Sequence, residues 1–547
     1  MTALFTAPTA ERVYLIEVEA QPPSGSATSG RAEFGDLAWG EPPEPDEIVQ
    51  TDVILRYAGA PYRSRPDDSP ANTAWEHRLL QPLLLSRTLP LAPGEGGIVG
   101  FAEGSEVELA NADGGLDVAV LSYAVDGRPV TVRAVSPGAA YADAALLFAG
   151  TALGWRLADR QRVVLAVRGK THLLNAALQS DLYPGSGNDD EDGDADLANL
   201  PRPLAFGYCQ NATPRLVSAF ELLYQAHDGP IEDLPAVYDG GVALTPGSDH
   251  PDVATLLAAT VTAGTFDTCL AEGYFRLGSN PVYDVTCDIE GDKTGGTFAA
   301  DSAAIARRML IRAGIDPLEI DGDAFDALSG AQAAPVGYFV REPVAAGAAI
   351  AELLAGIGAF LGETAAGLFT VDRLEAPDAA SDTIDETALL DMGMAPLPEE
   401  VAPCVWRIGV TWGINWTPQN IQLDAANIPA ARLAFIRVAA RVAVAFDTDR
   451  QAIHRMAQDY VGVRPPVAGF FRDEADAQAE AERLLALWAP GRQVLTLDVT
   501  DEIHQPAIGD QYAVTSERYG LDAGAPCRVF GIAFDAAQAL TRLQVLR

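Results

Sequence analysis

The chain has 547 residues, of which 76 are acidic and 37 basic, so its formal net charge is −39 at pH 7. A surface this acidic repels the phosphates of nucleic acids and anionic lipids, which argues against a DNA-reading protein or one held on a membrane by charge. A single hydrophobic core stops growing well below this length, so we expect roughly three to five compact units. Composition leaves two explanations of the acid excess open: solubility, as in an acidic proteome, or an acidic lumen through which DNA slides without binding.

Residues 11–169 predict an all-β unit. Segments rich in β-branched and aromatic residues, beginning with RVYLIEVEA, are separated by tight-turn signals. Asp113-Gly114 and Asp126-Gly127 are hairpin dipeptides, which need positive φ, so the stretch VELANADGGLDVAVLSYAVDGRPVTVRAV predicts successive strands. The segment ALLFAGTALGWRLADRQRVVLAVRG then predicts a strand pair that ends near Gly169.

An acidic boundary follows at residues 186–200 and leads into a second β region. We interpret its run of acids as a solvated linker. The alternative is a calcium site in the loop 188–196, since hard cations take several carboxylates from one loop, although the EF-hand order of ligands is missing. That loop carries the alternating aspartates Asp190, Asp192, Asp194 and Asp196. Beyond it, residues 201–300 predict strands with turns at Asp228-Gly229 and Asp239-Gly240.

Residues 265–292, TFDTCLAEGYFRLGSNPVYDVTCDIEGD, predict a β-hairpin. Apolar and polar residues alternate from Tyr283 onward, as in a strand with one wet face. Its expected partner is residues 269–277, with the turn at 278–281. A helix then begins near Asp301, which we expect to be its N-cap, and ends at Gly314, where a left-handed C-cap belongs.

The rest of the chain mixes helices and strands. In the α+β insert 301–400, apolar residues at helical spacing predict a helix ended by Gly358 and then a hairpin across residues 365–367. A further helix is predicted over 473–488, before Pro490-Gly491, and about four strands follow it. We interpret three tryptophans as a core face, the alternative being a sugar-binding platform. These are Trp406, Trp412 and Trp416.

Several segments resemble tail hub proteins of long-tailed bacteriophages, which form the ring that closes the distal end of the tail tube. The sharpest is GYFRLGSNPVYDVTCDIEGD with the helix after it. The others are YRSRPDDSPANTAWEHRL and VELANADGGLDVAVLSYAVDGRPVTVR near the start, and IGDQYAVTSERYGLDAG with RVFGIAFD near the end. The resemblance covers nearly the whole chain.

The resemblance implies a β-rich α+β multidomain fold, with two tube-forming β-barrel domains and mixed α/β inserts. The boundaries we expect are an N-terminal β domain, an acidic linker, a second β region, an α+β insert, a mixed region ending in a helix, and C-terminal barrel strands. In residue numbers these are 1–185, 186–200, 201–300, 301–400, 401–490 and 491–547.

It also implies a structural role at the tail tip or baseplate of a virion assembled in the host cytoplasm. The expected partners are two further copies in a homotrimer, the distal tail protein, other baseplate hub proteins, the tape measure protein, and tail fibres or a central spike. A trimer with two similar barrels per chain offers six quasi-equivalent surfaces to a hexameric tube and three-fold symmetry to a fibre. DNA would pass through without specific binding, along an acidic or neutral lumen.

Cysteine and histidine spacing predicts no cofactor, no metal and no catalytic residue. Five cysteines are scattered without a CxxC pair, and none of the six histidines lies in a metal-binding motif. The nearest nucleophile and base are Cys404 and His454, and the residues around Cys404 are typical of a core. No apolar run could span a bilayer and the start lacks a signal peptide, so we expect no membrane anchor. Two alternatives to a structural protein stay open: a tail-associated cell-wall- or glycan-degrading enzyme, and a receptor-binding module.

Overall fold

Strands make up most of the regular structure in the computed structural model of the chain, which describes residues 12–22, 52–100, 105–187, 191–380, 382–419, 427–500, 506–535 and 540–547. Up to residue 187 these form helix α1 (Asp117–Ser122) and the strands β1 (Val13–Ala20), β2 (Val53–Ala58), β3 (Tyr62–Arg63), β4 (Ala74–His77), β5 (Leu79–Gln81), β6 (Leu84–Thr88), β7 (Gly97–Val99), β8 (Ser105–Ala110), β9 (Pro129–Val135), β10 (Ala145–Leu157) and β11 (Arg162–Arg168). From 191 to 380 the strands are β12 (Leu204–Ala212), β13 (Arg215–Ser218), β14 (Leu223–Gln225), β15 (Ile231–Asp239), β16 (Val242–Ala243), β17 (Thr245–Asp249), β18 (Thr265–Cys269), β19 (Tyr274–Leu277), β20 (Val285–Asp292), β21 (Gly337–Val340), β22 (Ala359–Glu363) and β23 (Phe369–Arg373).

Helices α2 (Val253–Ala258), α3 (Ser302–Arg312), α4 (Gly322–Ala331) and α5 (Ala346–Ala355) belong to that middle part. The last part has helices α6 (Ala430–Ile436), α7 (Thr448–Ile453) and α8 (Glu474–Trp488). Its strands are β24 (Asp382–Ile384), β25 (Leu389–Ala395), β26 (Val405–Trp412), β27 (Arg441–Phe446), β28 (Gln458–Tyr460), β29 (Val467–Phe471), β30 (Val494–Thr500), β31 (Gln511–Ser516), β32 (Leu521–Asp535) and β33 (Leu540–Leu546). The fold is therefore β-rich with few helices, as expected.

The first sheet has nine strands in the order β3-β4-β2-β1-β9-β10-β11-β8-β5. The expected pair β10–β11 is present. The segment after Asp113-Gly114, expected to be a strand, is instead helix α1. Asn111 causes this turn, because its side-chain oxygen accepts from the backbone N–H of Leu116 at 2.8 Å and its amide donates to Asp117 Oδ1 at 2.8 Å. These local bonds compete with the sheet for the backbone and start a helical turn.

The predicted hairpin of residues 265–292 is wrong in its pairing. Strand β19 pairs with β14 and β18, whereas β20 pairs with β12 and β15, so the two lie in different five-stranded sheets. The side chain of Asp239 contributes to this, since its two carboxylate oxygens accept from the backbone N–H of Val282 and Tyr283 at 2.8 and 2.7 Å. The strand starts after them, at Val285, and its expected wet face includes the fully buried Thr286.

Helix predictions agree better with the structure. Asp301 caps α3 by accepting from the backbone N–H groups of Ala303 and Ala304, and Gly314 has φ +90° beyond its end. Helix α5 is followed by the expected hairpin β22–β23. Helix α8 also forms, but the side chain of Asp473 makes no capping bond.

A buried ion pair fixes α8 to the strand β23. Glu480, 1% exposed, pairs with Arg373, 7% exposed, and also accepts from Arg483 one turn further along the helix. Burial is the main cause that lowers the pKa of Arg373. Arg373 also lies 3.4 Å from Glu375, which is 40% exposed, so without Glu480 its charge would keep only this partly hydrated partner.

The beginning and the end of the chain meet at strand β6. It pairs antiparallel with β32, which belongs to the last sheet, of order β24-β31-β32-β33-β30-β25. Nearby, Phe534 of β32 packs against Ala134 and Leu147 of the first sheet. Among the described strands no pairing closes either sheet into a barrel, so each is an open sheet with two edges. No helix in the described ranges has the length and apolarity needed to span a membrane.

Candidate functional site

One face of the first sheet packs on a hydrophobic core, and the other is polar beyond a small apolar cluster that includes Val13 and Leu15. On β1, Ile16 and Val18 are buried in the core beneath the sheet, while Glu17 and Glu19 point to the opposite side. The register carries this division across the sheet, because directly opposed residues share a face. Glu17 thus lies beside residues 56 and 131, and the polar face extends over β2, β1, β9, β10, β11 and β8.

Ion pairs neutralise four arginines of this polar face. Four arginines each contact one of the glutamates of β1 or β8. The pairs are Arg56–Glu17 at 2.8 Å, Arg128–Glu19 at 2.9 Å, Arg156–Glu106 at 2.6 Å and Arg162–Glu108 at 3.2 Å. Arg128 and Arg162 have second acidic partners in Asp52 and Asp159. Partly exposed pairs of this kind contribute only about 0–1 kcal/mol each, so their main effect is to neutralise the arginines.

Tyr141 joins this network from the edge of the face. Its hydroxyl donates to Glu17 Oε2 at 2.7 Å, and its ring stacks on Trp75 with centroids 5.2 Å apart. Burial, with the bond to Glu17, raises the pKa of Tyr141 to about 12, so it stays neutral and a donor. Arg133 lies over the same ring at 5.4 Å.

The last sheet also has a polar face, with fewer bases. Arg542 donates two hydrogen bonds, of 2.6 and 2.8 Å, to the carboxylate of Asp498 on the neighbouring strand. Asp391 of β25 is directly opposite Asp498, and the face continues over β33 and β32 to β6. The two sheets therefore offer one charge-balanced and one mildly acidic surface.

A cavity of about 520 Å³ lies where the sheets adjoin, between β6, β22, β23 and β32. Its walls are largely apolar, and the charged residues that line it include Arg87, Glu363 and Asp372. Glu363 is 1% exposed; its Oε1 accepts from the backbone N–H of Thr171 at 2.5 Å, and its carbonyl accepts from Arg87. Burial raises the pKa of Glu363. These groups tie β6, β22 and the segment after β11 together.

Cys404 and His454, the residues considered for catalysis, lie at separate elements, the start of a strand and the end of a helix. All five cysteines are buried and form no disulfide. Burial raises the pKa of the Cys404 thiol, which disfavours the thiolate that a nucleophile needs. Cys404 precedes β26, while His454 ends helix α7 and donates its backbone N–H to Arg450. Within the described ranges, no three metal-ligating side chains come together.

The tryptophans lie in or beside the core. Trp416 stacks on Phe470 with centroids 6.2 Å apart and meets Tyr338 edge-on, and Trp412 packs against the same core. Trp406 is half-buried beside Arg407. Of the acidic loop 188–196, residues 188–190 lie outside the described residues, and Asp194 and Asp196 are exposed. Calcium binding there stays a prediction.

A buried polar network joins two distant parts of the chain that sequence analysis did not connect. The amide of Asn211 donates to Asn415 Oδ1 at 2.8 Å, and Arg432 donates to Asn211 Oδ1 at 2.6 Å. Asp288 accepts from the backbone N–H of Asn211, and Arg432 lies 3.7 Å from the ring centre of Tyr238. No local sequence motif predicts this network, because its members are separated by up to 221 positions.

Comparison with known proteins gives similarity to solved structures only. No family model and no curated protein matches the chain. A 43 kDa tail protein of prophage MuSo2 from Shewanella oneidensis is 12% identical, with 87% of this chain and 96% of that one covered, at a TM-score of 0.31. A tail protein from Neisseria meningitidis MC58 is 11% identical over 87% and 94% of the chains, at 0.35. A chain of a native gene transfer agent virion is 13% identical over 64% and 84%, at 0.40. TM-scores below 0.5 do not establish a common fold, so function has to be inferred from this chain's own sequence and sheets.

Proposed function

We propose that this chain is a structural protein of a phage or phage-like tail: a hub ring that closes the distal end of the tail tube and forms the channel for DNA exit. The proposal is supported by the sequence resemblance to tail hub proteins near both ends of the chain. The segments near the ends, residues 62–79 and 107–133 and the strands after Ile508, belong to the two sheets that adjoin at β6, whereas the sharpest segment, 273–292, lies outside them.

The charge-balanced polar face of the first sheet is the observation that carries the channel role. A wall beside passing DNA must not hold the phosphates, because each free arginine or lysine would release counterions and bind. Carboxylates neutralise four of its arginines pair by pair. Arg133 and Arg168 lie on the same face without an ion pair among the described residues, and Arg133 lies over the ring of Tyr141. We infer that this face and the mildly acidic face of the last sheet line the channel.

The ring is a homotrimer in this proposal. Residues 1–185 and 491–547 supply the two tube-like units, and 201–300, 301–400 and 401–490 are inserts around them, with 186–200 as linker. Because both sheets are open in one chain, barrel-like closure would come from neighbouring copies. Such a ring would present six similar surfaces to the tube and three-fold symmetry to a central fibre or spike. The distal tail protein, other hub proteins, the tape measure protein and peripheral fibres are the further partners.

On this proposal the chain works without a catalytic site, cofactor or metal. The rival functions are a tail-associated cell-wall- or glycan-degrading enzyme and a receptor-binding module, and the buried Cys404 thiol gives the enzyme no support.

Electron microscopy of the purified chain tests the proposal. Three-fold rings with a central channel are expected, and purified cell wall incubated with the chain should release no fragments. A chain that never forms rings, alone or on isolated tail tubes, would contradict the hub role. Turnover of cell wall by the isolated chain would establish the enzyme instead.

A further inference from the structure

The cavity where the first and last sheets adjoin is bounded by two β layers. One layer is the hairpin β22–β23, whose register places Phe360 opposite Asp372 and Gly362 opposite Thr370, so these four residues share a face, and all of them line the cavity. Strands β6 and β32 form the other layer. The apolar side chains of the walls are Leu85, Leu147, Phe360, Ile508, Ile532 and Phe534. The volume of about 520 Å³ and the mostly apolar walls are typical of pockets that bind small molecules.

Gly362 leaves room in this cavity where any other residue would place a side chain. It is buried inside β22, and a glycine inside a strand marks a bulge, a close backbone contact or a site that a ligand approaches. The hairpin register is continuous at this position, and Gly362 has no positive φ. In the described part of the chain, a Cβ here would be 3.7 Å from the carbonyl oxygen of Val99, with side-chain atoms of Phe360 and Thr370 at 3.8 and 3.9 Å. These are ordinary contacts, so the approach of a ligand is the explanation that fits this glycine.

Two carboxylates line the same cavity beside Thr370. Asp321 accepts from the hydroxyl of Thr370 at 3.1 Å and from the backbone N–H of Ala324 at 3.3 Å. It forms no ion pair among the described residues. Asp372 lies two residues from Thr370 on the same face of β23 and pairs with Arg528 at 3.0 Å. The cavity therefore contains a carboxylate, that of Asp321, which hydrogen bonds hold in place and no cation neutralises.

The other charged residues of the lining do not cancel this negative charge. Three of the described lining residues are acidic and one is basic. The basic residue, Arg87, donates from Nη1 to the carbonyl oxygen of Glu363. Glu363 directs its carboxylate to the opposite side of β22 from Gly362, because neighbouring residues of a strand alternate, and its Oε1 accepts from the backbone N–H of Thr171. The acid excess therefore favours a cation over a neutral or anionic group.

We propose that this cavity binds a small amphiphilic amine, whose apolar body packs between Phe360 and Ile532 and whose ammonium group donates to Asp321. An ammonium group has three N–H donors and a full positive charge, so it forms the charge-assisted hydrogen bond that a hydroxyl cannot. Because the walls come from β6, β22, β23 and β32, the bound amine also holds the early and late parts of the chain together, and Tm should rise with its concentration. The inference goes beyond the tail role and does not rest on it.

Three probes with one apolar body and different head groups test this site: 4-phenylbutylamine, 4-phenylbutanol and 4-phenylbutyrate. Isothermal titration calorimetry on the full chain measures their affinities. The amine should bind at least about tenfold more tightly than the alcohol, as expected for a charge-assisted hydrogen bond, and the carboxylate should bind least. Gly362→Leu should abolish binding of the amine, because the new side chain occupies the cavity. Asp321→Asn should lower the affinity for the amine to that for the alcohol, since asparagine keeps the helix cap but not the charge.

Asp301→Asn is the matched control. Asp301 also caps a helix, α3, and does not line the cavity, so this variant loses the same charge and should bind the amine as the unmodified chain does. Circular dichroism checks the fold of each variant, and Asp321→Asn decides the outcome if Gly362→Leu does not fold. Equal affinities for amine and alcohol, no binding of the amine, or full binding by a folded Gly362→Leu chain would each overturn the site. The tail role would still stand, because ring formation is measured separately.

Discussion

Removing the carboxylates from the polar face of the first sheet should convert it into a DNA-binding surface. The substitutions are Glu17→Gln, Glu19→Gln, Glu106→Gln and Glu108→Gln, which take away the glutamate partners of four arginines. Glutamine keeps the size and a hydrogen-bond acceptor, so the sheet should persist. The net charge changes only from −39 to −35. Charges farther than a Debye length of about 8 Å are screened at physiological salt, so DNA binding depends on the charges of the face itself and not on the net charge.

The magnitude follows from the number of arginines released. If all four contact phosphates of duplex DNA, the slope of log affinity against log salt is about −3.6, at about −0.9 per contact. A fourfold rise, from about 50 to about 200 mM salt, should then weaken binding about 150-fold. Arg128 and Arg162 keep one acidic partner each, Asp52 and Asp159. If these two arginines do not contact phosphate, the slope should be about −2, which is the smallest effect we expect.

Fluorescence anisotropy with a labelled duplex measures this binding as a function of salt. The control carries the same charge change at four exposed acids that form no ion pair among the described residues: Asp284→Asn, Asp323→Asn, Glu474→Gln and Glu482→Gln. It should bind DNA no better than the unmodified chain. If the glutamine variant and this control behave alike at low salt, ion pairing is not what keeps the face inert.

Four further measurements address stability and composition. Glu480→Ala should destabilise helix α8 by about 3–5 kcal/mol in hydrogen exchange, because Arg373 loses its buried partner; a loss below about 1 kcal/mol would mean the pair is replaceable. Asp301→Ala should cost about 1 kcal/mol in chemical unfolding, and Asp473→Ala much less, because only the first caps its helix; equal losses would contradict this. Burial raises the pKa of Glu363 above its usual 4.5, so the folded state binds its proton more tightly and stability should fall as pH rises through that raised value. Glu363→Gln should remove this part of the pH dependence of Tm, and an unchanged profile would refute it. Elemental analysis should find no stoichiometric iron or zinc, and either metal would show that a structural site exists.

Local features of this fold could be predicted from the sequence because they depend on near neighbours. The alternation of Glu17 and Glu19 with buried residues, the cap at Asp301 and the stop at Gly314 are each set by a few adjacent residues. Two predictions were wrong: the strand expected where helix α1 lies, and the hairpin at 265–292. At both places a side chain outside the periodic pattern, Asn111 or Asp239, accepts hydrogen bonds from the backbone.

Only part of the polar face of the first sheet could be predicted from the sequence. Its glutamates follow from the period of the strands, but the arginine that neutralises each one does not, since Arg128 lies 109 positions from Glu19 and Arg56 lies 39 from Glu17. Register across a sheet chooses those partners. The pairing of β6 with β32, which joins the first part of the chain to the last, was likewise decided only in the tertiary structure. Strands far apart in sequence pair because of the apolar surface they bury together, and a short segment such as LLSRT carries no local mark of the strand it will meet.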